Sequence, residues 1–329
     1  MTRFLLRRGL YMVPTLLAIS LIVFVVINLP PGDFVDSLVN DLRSQGQVVS
    51  VEEEENLRRI YGVDRPILEQ YVGWMADLLR GNLGRSFAHQ RLVSEIVADS
   101  LGITVTLAVV TLLVTWLIAF PIGVYAAVRQ YSIGDYVATT FGFLGLATPN
   151  FLIALILMYL SLRYFNYVPA GLCGDEFCDA RWNYERVLDL LKHWWVPVVV
   201  IGTAGTAGLI RILRANLLDE LRKPYVVAAR ARGLPERRLI ARYPLRVALN
   251  PFVSTVGWVL PLLLAGDVIV AQILSLPTLG RIFLDSLQQQ DMFLAGSILM
   301  IYSLLTVIGT LISDILLAWL DPRVRLGYR

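Results

Sequence analysis

The stretch SLGITVTLAVVTLLVTWLIAFPIGVYAAV, Ser100–Val128, holds twenty-nine consecutive residues without a charge. A helix rises about 1.5 Å per residue, so about twenty apolar residues cross a hydrocarbon core about 30 Å thick. Barrel strands would be about ten residues long and alternating. The stretch therefore reads as a membrane-spanning helix. Five more charge-free runs flank it: Leu10–Leu29, Tyr136–Leu162, Trp194–Ile210, Val247–Gly266 and Met292–Ser313. Each is long enough to span, which predicts an all-α membrane protein with six transmembrane helices. The composition agrees, with 56% hydrophobic and 17% charged residues in a chain of 329. Soluble domains carry about a quarter charged residues. Disorder, a collagenous repeat and a disulfide-stapled secreted module are excluded.

Arg3, Arg7 and Arg8 ahead of the first run resemble the start of a signal peptide. Its apolar region would be about 7–15 residues long and end in a small-x-small cleavage site. This run is longer and ends Asn28-Leu29-Pro30-Pro31-Gly32, so it reads as a retained helix that stops at the prolines. With a cytoplasmic N-terminus, the inner segments carry 17 Lys and Arg against five acids, and the outer segments 12 against 19. Basic residues gather on the cytoplasmic side, so both termini are expected there. The formal net charge of +3 conceals this asymmetry.

The chain divides into residues 1–29 (N-terminus and first helix), an extracytoplasmic helical region at 30–99, and a core membrane domain at 100–329. In the second piece, Ser50 and Glu53 form a capping box. Leu68, Tyr71, Val72, Met75 and Leu79 make an amphipathic stripe after Pro66. That piece reads either as a packed cap or as a docking surface. The outer loop Arg163–His193 contains Cys173 and Cys178, the two cysteines of the chain. An oxidising compartment would allow a disulfide between them, whereas two Cys and a distant His193 make a poor metal set. No metal site is expected, and His89 and His193 read as ordinary outer-surface residues.

The inner loop 211–250 is the informative one, with ten basic residues and three acids. Pro224 suits a helix start, the Ala-rich run after it favours helix, Gly233 is placed to end it, and Pro235 can open a second helix. Such an object would either lie on anionic lipid or serve as a knob for a cytoplasmic partner.

Here the sequence resembles the permeases of the dipeptide/oligopeptide ABC-importer family, in its first-permease branch. Ala228-Ala229-Arg230-Ala231-Arg232-Gly233 followed by Leu234-Pro235 is similar to the latter part of that family's coupling motif, with Val227 where the motif has Glu. Pro31-Gly32-Asp33, Tyr61-Gly62-Val63-Asp64-Arg65-Pro66, Gly81-Asn82-Leu83-Gly84-Arg85-Ser86, Thr148-Pro149-Asn150-Phe151, Leu276-Pro277-Thr278-Leu279-Gly280 and Asp321-Pro322-Arg323 resemble its other signatures, in order. The resemblance implies a type I ABC-importer transmembrane domain in a bacterial inner membrane. It implies coupling to an ATPase through Tyr225, Ala228, Ala229, Arg230, Arg232, Gly233 and Leu234. Its expected partners are a second permease, two cytoplasmic ATPases that bind the ATP and Mg, and an extracytoplasmic solute-binding protein. The solute would be a di- or oligopeptide, with oligosaccharide as the alternative. Membrane lipid is the surroundings, and no nucleic acid is expected.

The fourth run contains Gly202, Gly205 and Gly208, spacing that suits close helix packing, within the chain or against a second permease. Pro149 and Pro261 would kink their helices or free carbonyls toward a pathway. Intramembrane acids are candidate polar sites. Asp314 is expected to pair with Arg211 or Arg214, and Asp267 to line the outer mouth or find a structural partner. No G-x-x-x-x-G-K-[ST] loop, H-E-x-x-H or G-x-S-x-G occurs. The chain is therefore expected to be no enzyme and to hold no cofactor itself. A stand-alone secondary transporter is the competing class, and it would show buried ionisable clusters and inverted repeats.

Overall fold

The computed structural model describes residues 2–29, 32–174, 183–257, 262 and 268–320. Among them the regular structure is helical: α1 (Thr2–Ile27), α2 (Phe34–Ser44), α3 (Val51–Tyr61), α4 (Ile67–Leu79), α5 (Val93–Val128), α6 (Ile133–Ala147) and α7 (Asn150–Phe165) come first. They are followed by α8 (Tyr184–Leu221), α9 (Pro224–Ala231), α10 (Glu236–Arg242), α11 (Pro244–Ser254), α12 (Val268–Ile273), α13 (Leu279–Gln288) and α14 (Met292–Leu320). Four described helices are long and apolar enough to span a membrane: Arg8–Ile27 within α1, α5, α8 and α14. The third run does not form one straight helix. It breaks at Thr148-Pro149 into α6 and α7, bent by 103°, and the pair counts as a fifth span if taken together. Proline has no amide hydrogen, so the ladder stops there, and the Thr148 amide and hydroxyl both turn back to the Leu144 carbonyl. The fifth run opens in α11, and most of its second half, with Pro261 and Asp267, lies outside the described residues.

The chain forms two compact units. One comprises residues 6–103 and 278–305. Its core sets Val23 and Phe24 of α1 against Trp74, Tyr71 and Met75 of α4. Val93, Ile96 and Val97 of α5 meet Leu279, Leu294 and Ile298. The predicted stripe on α4 is thus half right. Tyr71 and Met75 pack, but Leu68, Val72 and Leu79 are exposed, and the buried face centres on Trp74. The capping box of Ser50 and Glu53 forms, and it holds the Glu53 carboxyl below the usual carboxylate range, mainly through the Ser50 amide.

The family-like tripeptides are structural here. Asp33 accepts from the Asp36 amide at 3.0 Å and so caps α2, and the Asp36 carboxylate accepts in turn from the Asp33 amide at 2.9 Å. Arg58 clamps both carboxylates. Gly32 has φ +93°, a conformation that side chains resist. Gly84, at φ +81°, lies against Phe293, where an added Cβ would come within 3.0 Å of the ring. Asp291, fully buried, accepts from Ser86 Oγ and from the amides of Ala88 and Leu294.

The other unit comprises residues 1–5, 104–277 and 306–329. In it α8 is the central packing element. Leu209, Leu213 and Leu217 pack with Ala119 and Ala127 of α5 and Ala248 and Phe252 of α11. Gly123 lets α5 approach Leu213, and a Cβ on Gly202 would come within 3.1 Å of Thr115, so that glycine serves packing inside the chain. Gly208 faces open space. His193 is buried, contrary to its expected place on the surface: Nδ1 lies 2.9 Å from the Asp189 carbonyl, and the ring meets Tyr167 edge-on. His89 is exposed as expected. Cys173 is disulfide-bonded, and Cys178 lies outside the described residues.

Candidate coupling site

The 211–250 segment begins as the last turns of α8 and folds into the α9–α10 pair. Pro224 occupies the first turn of α9, where no amide donor is needed. The helix ends at Ala231 with Arg232 as its C-cap, and Gly233 follows with φ +77°, bonding its amide back to the Arg230 carbonyl. Pro235 then opens α10. Val226 and Ala229 of α9 are buried against Leu239 and Ile240 of α10, with Leu221, Leu234 and Leu245 around them. The pair is thus a packed knob with a core of its own.

The candidate residues divide by face. Ala229 is inside and Leu234 half-buried, while Ala228, Arg230, Arg232 and Gly233 are exposed. Val227, exposed beside Ala228, gives the outer face an apolar patch among basic residues. Two contacts stiffen the knob. The Tyr225 hydroxyl donates to Glu220 Oε2, and burial, then this bond, pushes the phenol up. Arg230 forks onto Glu236 through Nε at 3.1 Å and Nη2 at 2.5 Å. The fork holds the Glu236 carboxyl below the ordinary range and raises the Arg230 guanidinium.

A buried ion pair lies at the start of the segment, on the last turns of α8. Arg214 Nε and Nη2 donate to the two carboxylate oxygens of Asp135 at 2.7 and 2.8 Å, and the Tyr131 amide adds a third bond at 2.9 Å. The Asp135 side chain is 3% exposed. Of the two partners expected for Asp314, Arg211 and Arg214, the second belongs to Asp135, because the start of α6 brings a carboxylate against it. Asp314 is half-buried on α14. In the sequence Asp135 stands immediately before the charge-free run Tyr136–Leu162. The available signal was Ser132 three residues earlier, which caps α6 and fixes Asp135 in its first turn. Among the described residues no group of three His, Cys, Asp or Glu could hold a metal.

Several spanning helices, one of them broken, and a compact basic knob define a multi-pass membrane transport component. Residues 119–326 match the family model described as binding-protein-dependent transport system inner membrane component, and residues 1–108 match the model of its N-terminal part. The chain belongs to this family, whose fold is the transmembrane domain of type I ABC importers, and it is a multi-pass inner-membrane protein. It is 35% identical to the oligopeptide transport system permease protein AppB of Bacillus subtilis, covering 98% of this chain and 99% of the relative. It is 29% identical to the dipeptide transport system permease protein DppB of Escherichia coli, covering 99% of each. It is 26% identical to the oligopeptide transport system permease protein OppB of Haemophilus influenzae, covering 99% of this chain and the whole relative.

Proposed function

We propose that this chain is the permease subunit of an ATP-driven importer of di- or oligopeptides. It works beside a second, similar permease, with two cytoplasmic ATPases that hold ATP and Mg, and receives solute from an extracytoplasmic binding protein. Both termini and the α9–α10 knob face the cytoplasm. The observation that carries the reading is the knob: a small core of its own, a stiffening ion pair, and an outward face of Val227 and Ala228 at the end of the long helix α8. Pushed by a closing ATPase, such a body moves as a unit and delivers its displacement to α8. The likeness to peptide permeases over nearly the whole chain supports the substrate class. The disulfide of Cys173, with Cys178 as its mate, would brace the outer loop, and Asp267 and Asp314 are the polar candidates within the spans.

The test is uptake of labelled di- and oligopeptides by proteoliposomes holding the assembled transporter and its binding protein. Uptake should require ATP, and Ala228→Trp should abolish it while the chain stays inserted and folded. Uptake that continues without ATP would overturn the reading in favour of a stand-alone transporter, and preference for oligosaccharide would overturn the substrate class.

A further inference from the structure

A cavity of about 760 Å³ opens between α5, α6 and α8. Its walls are apolar apart from a few threonine hydroxyls, and it is lined along α5 from Val114 to Tyr125 and along α8 from Val198 to Ile210. Eleven helical steps of about 1.5 Å from Val114 to Tyr125 give a length of about 16 Å, against about 15 Å for one leaflet of a core about 30 Å thick. Its exposed rim includes Val137 and Phe141 of α6.

One end of the cavity is basic. On α8 the position one turn beyond Ile210 is Arg214, whose charge is matched by Asp135. On α5 the position one turn beyond Tyr125 is Arg129, whose amide still bonds the Tyr125 carbonyl at 2.9 Å. Its guanidinium lies 5.8 Å from the Tyr125 ring centre, and among the described residues no carboxylate pairs with it. Arg129 is exposed. An apolar slot one leaflet long, ending at a tyrosine with an arginine one turn further on that no described carboxylate pairs with, matches a lipid: tyrosines favour the membrane interface, and basic residues there attract anionic headgroups.

We propose that this cavity is a binding site for an anionic phospholipid, one acyl chain lying between α6 and α8 and the phosphate on Arg129. The bound chain fills the space that α5, α6 and α8 leave open between them. The occupant is set by chain length and charge, so a zwitterionic lipid with the same tails binds less well.

The experiment uses the full chain, purified with its associated subunits and reconstituted with phosphatidylglycerol carrying a diazirine in one tail, or with phosphatidylcholine carrying the same probe. Adducts mapped to Val137 and Phe141 are expected with phosphatidylglycerol. They should fall roughly fivefold with phosphatidylcholine and with Arg129→Gln, the size of one lost basic contact at a membrane surface. Val137→Trp, which fills the mouth from an exposed position, should remove them. Equal labelling by the two lipids, labelling unaffected by Arg129→Gln, or labelling elsewhere on the chain with none here overturns the proposal. So does a benzoylphenylalanine at position 137 that crosslinks to another protein subunit instead of lipid.

Discussion

Replacing Asp135 by Asn keeps its shape and removes its charge. The wild-type carboxylate accepts two hydrogen bonds from Arg214 and one from the Tyr131 amide, with the Thr139 side chain adding to them, and its side chain is 3% exposed and that of Arg214 27%. Removing one partner of a fully buried pair costs about 3–5 kcal/mol, because the other charge is stranded. Water reaches the Arg214 edge, so about 2–4 kcal/mol is expected here, on the same scale. Arg214→Gln should cost a similar amount, since the carboxylate is the deeper member. The double variant strands neither charge. Its loss should fall short of the summed single losses by about 1.5 kcal/mol or more, within the usual range for contacting residues. The assay is equilibrium unfolding in mixed micelles, titrated with a denaturing detergent and followed by tryptophan fluorescence. Additive losses, to within about 0.5 kcal/mol, would refute the claim that these two residues hold α6 and α8 as a pair. The same pair joins positions 79 residues apart, and α8 leads into the knob, so uptake should fall along with stability.

Ala229→Leu should overpack the α9–α10 core by about 1–3 kcal/mol, lowering thermal stability, whereas Ala228→Leu on the exposed face should change it by less than about 0.5 kcal/mol. Scanning both by thermal unfolding separates the inner from the outer face. Asp291→Ala orphans three donors, of which Ser86 Oγ and the Leu294 amide are buried and the Ala88 amide half-buried, and should cost about 2 kcal/mol or more, at about 1–3 kcal/mol for each buried unsatisfied group; loss of protease resistance around residues 84–94 is the readout. The Arg230–Glu236 fork gives a pH dependence. Since the carboxyl is depressed in the folded chain, its contribution is complete above the ordinary Glu value of 4.5 and disappears as pH falls through the lower folded value. Circular dichroism on acidification should show part of the melting limb below pH 4.5 missing in Glu236→Gln, and an unchanged limb would count against the fork.

Much of the fold was legible because the bilayer imposes a length on every span. Runs such as Ser100–Val128 carried that signal without help from packing, and so did local punctuation: Ser50 with Glu53, Pro224, Gly233 and Pro235 each do in the structure what their chemistry requires. The third run misled as a single helix because hydropathy does not register direction. Only the missing amide at Pro149 marked the turn, and a mid-run proline is equally compatible with a mild kink. The coupling knob was readable as two short helices, but the division of its residues into core and face was not. Ala228 and Ala229 are identical in sequence terms, and the position of α10 decides that one is buried and the other exposed.

The sequence by itself determined that the chain lives in a membrane, how its basic residues are distributed, and where the short helices of the 211–250 segment start and stop. These follow from properties of consecutive residues: apolar length, charge, a proline or a glycine. Tertiary structure alone decided that Arg214 belongs to Asp135 rather than Asp314, that His193 is buried, that Trp74 leads the face of α4, and that an apolar cavity lies between α5, α6 and α8. Each depends on which helix lies alongside which. An ion pair or a void is a relation between surfaces far apart in the chain, and no local pattern of residues encodes it.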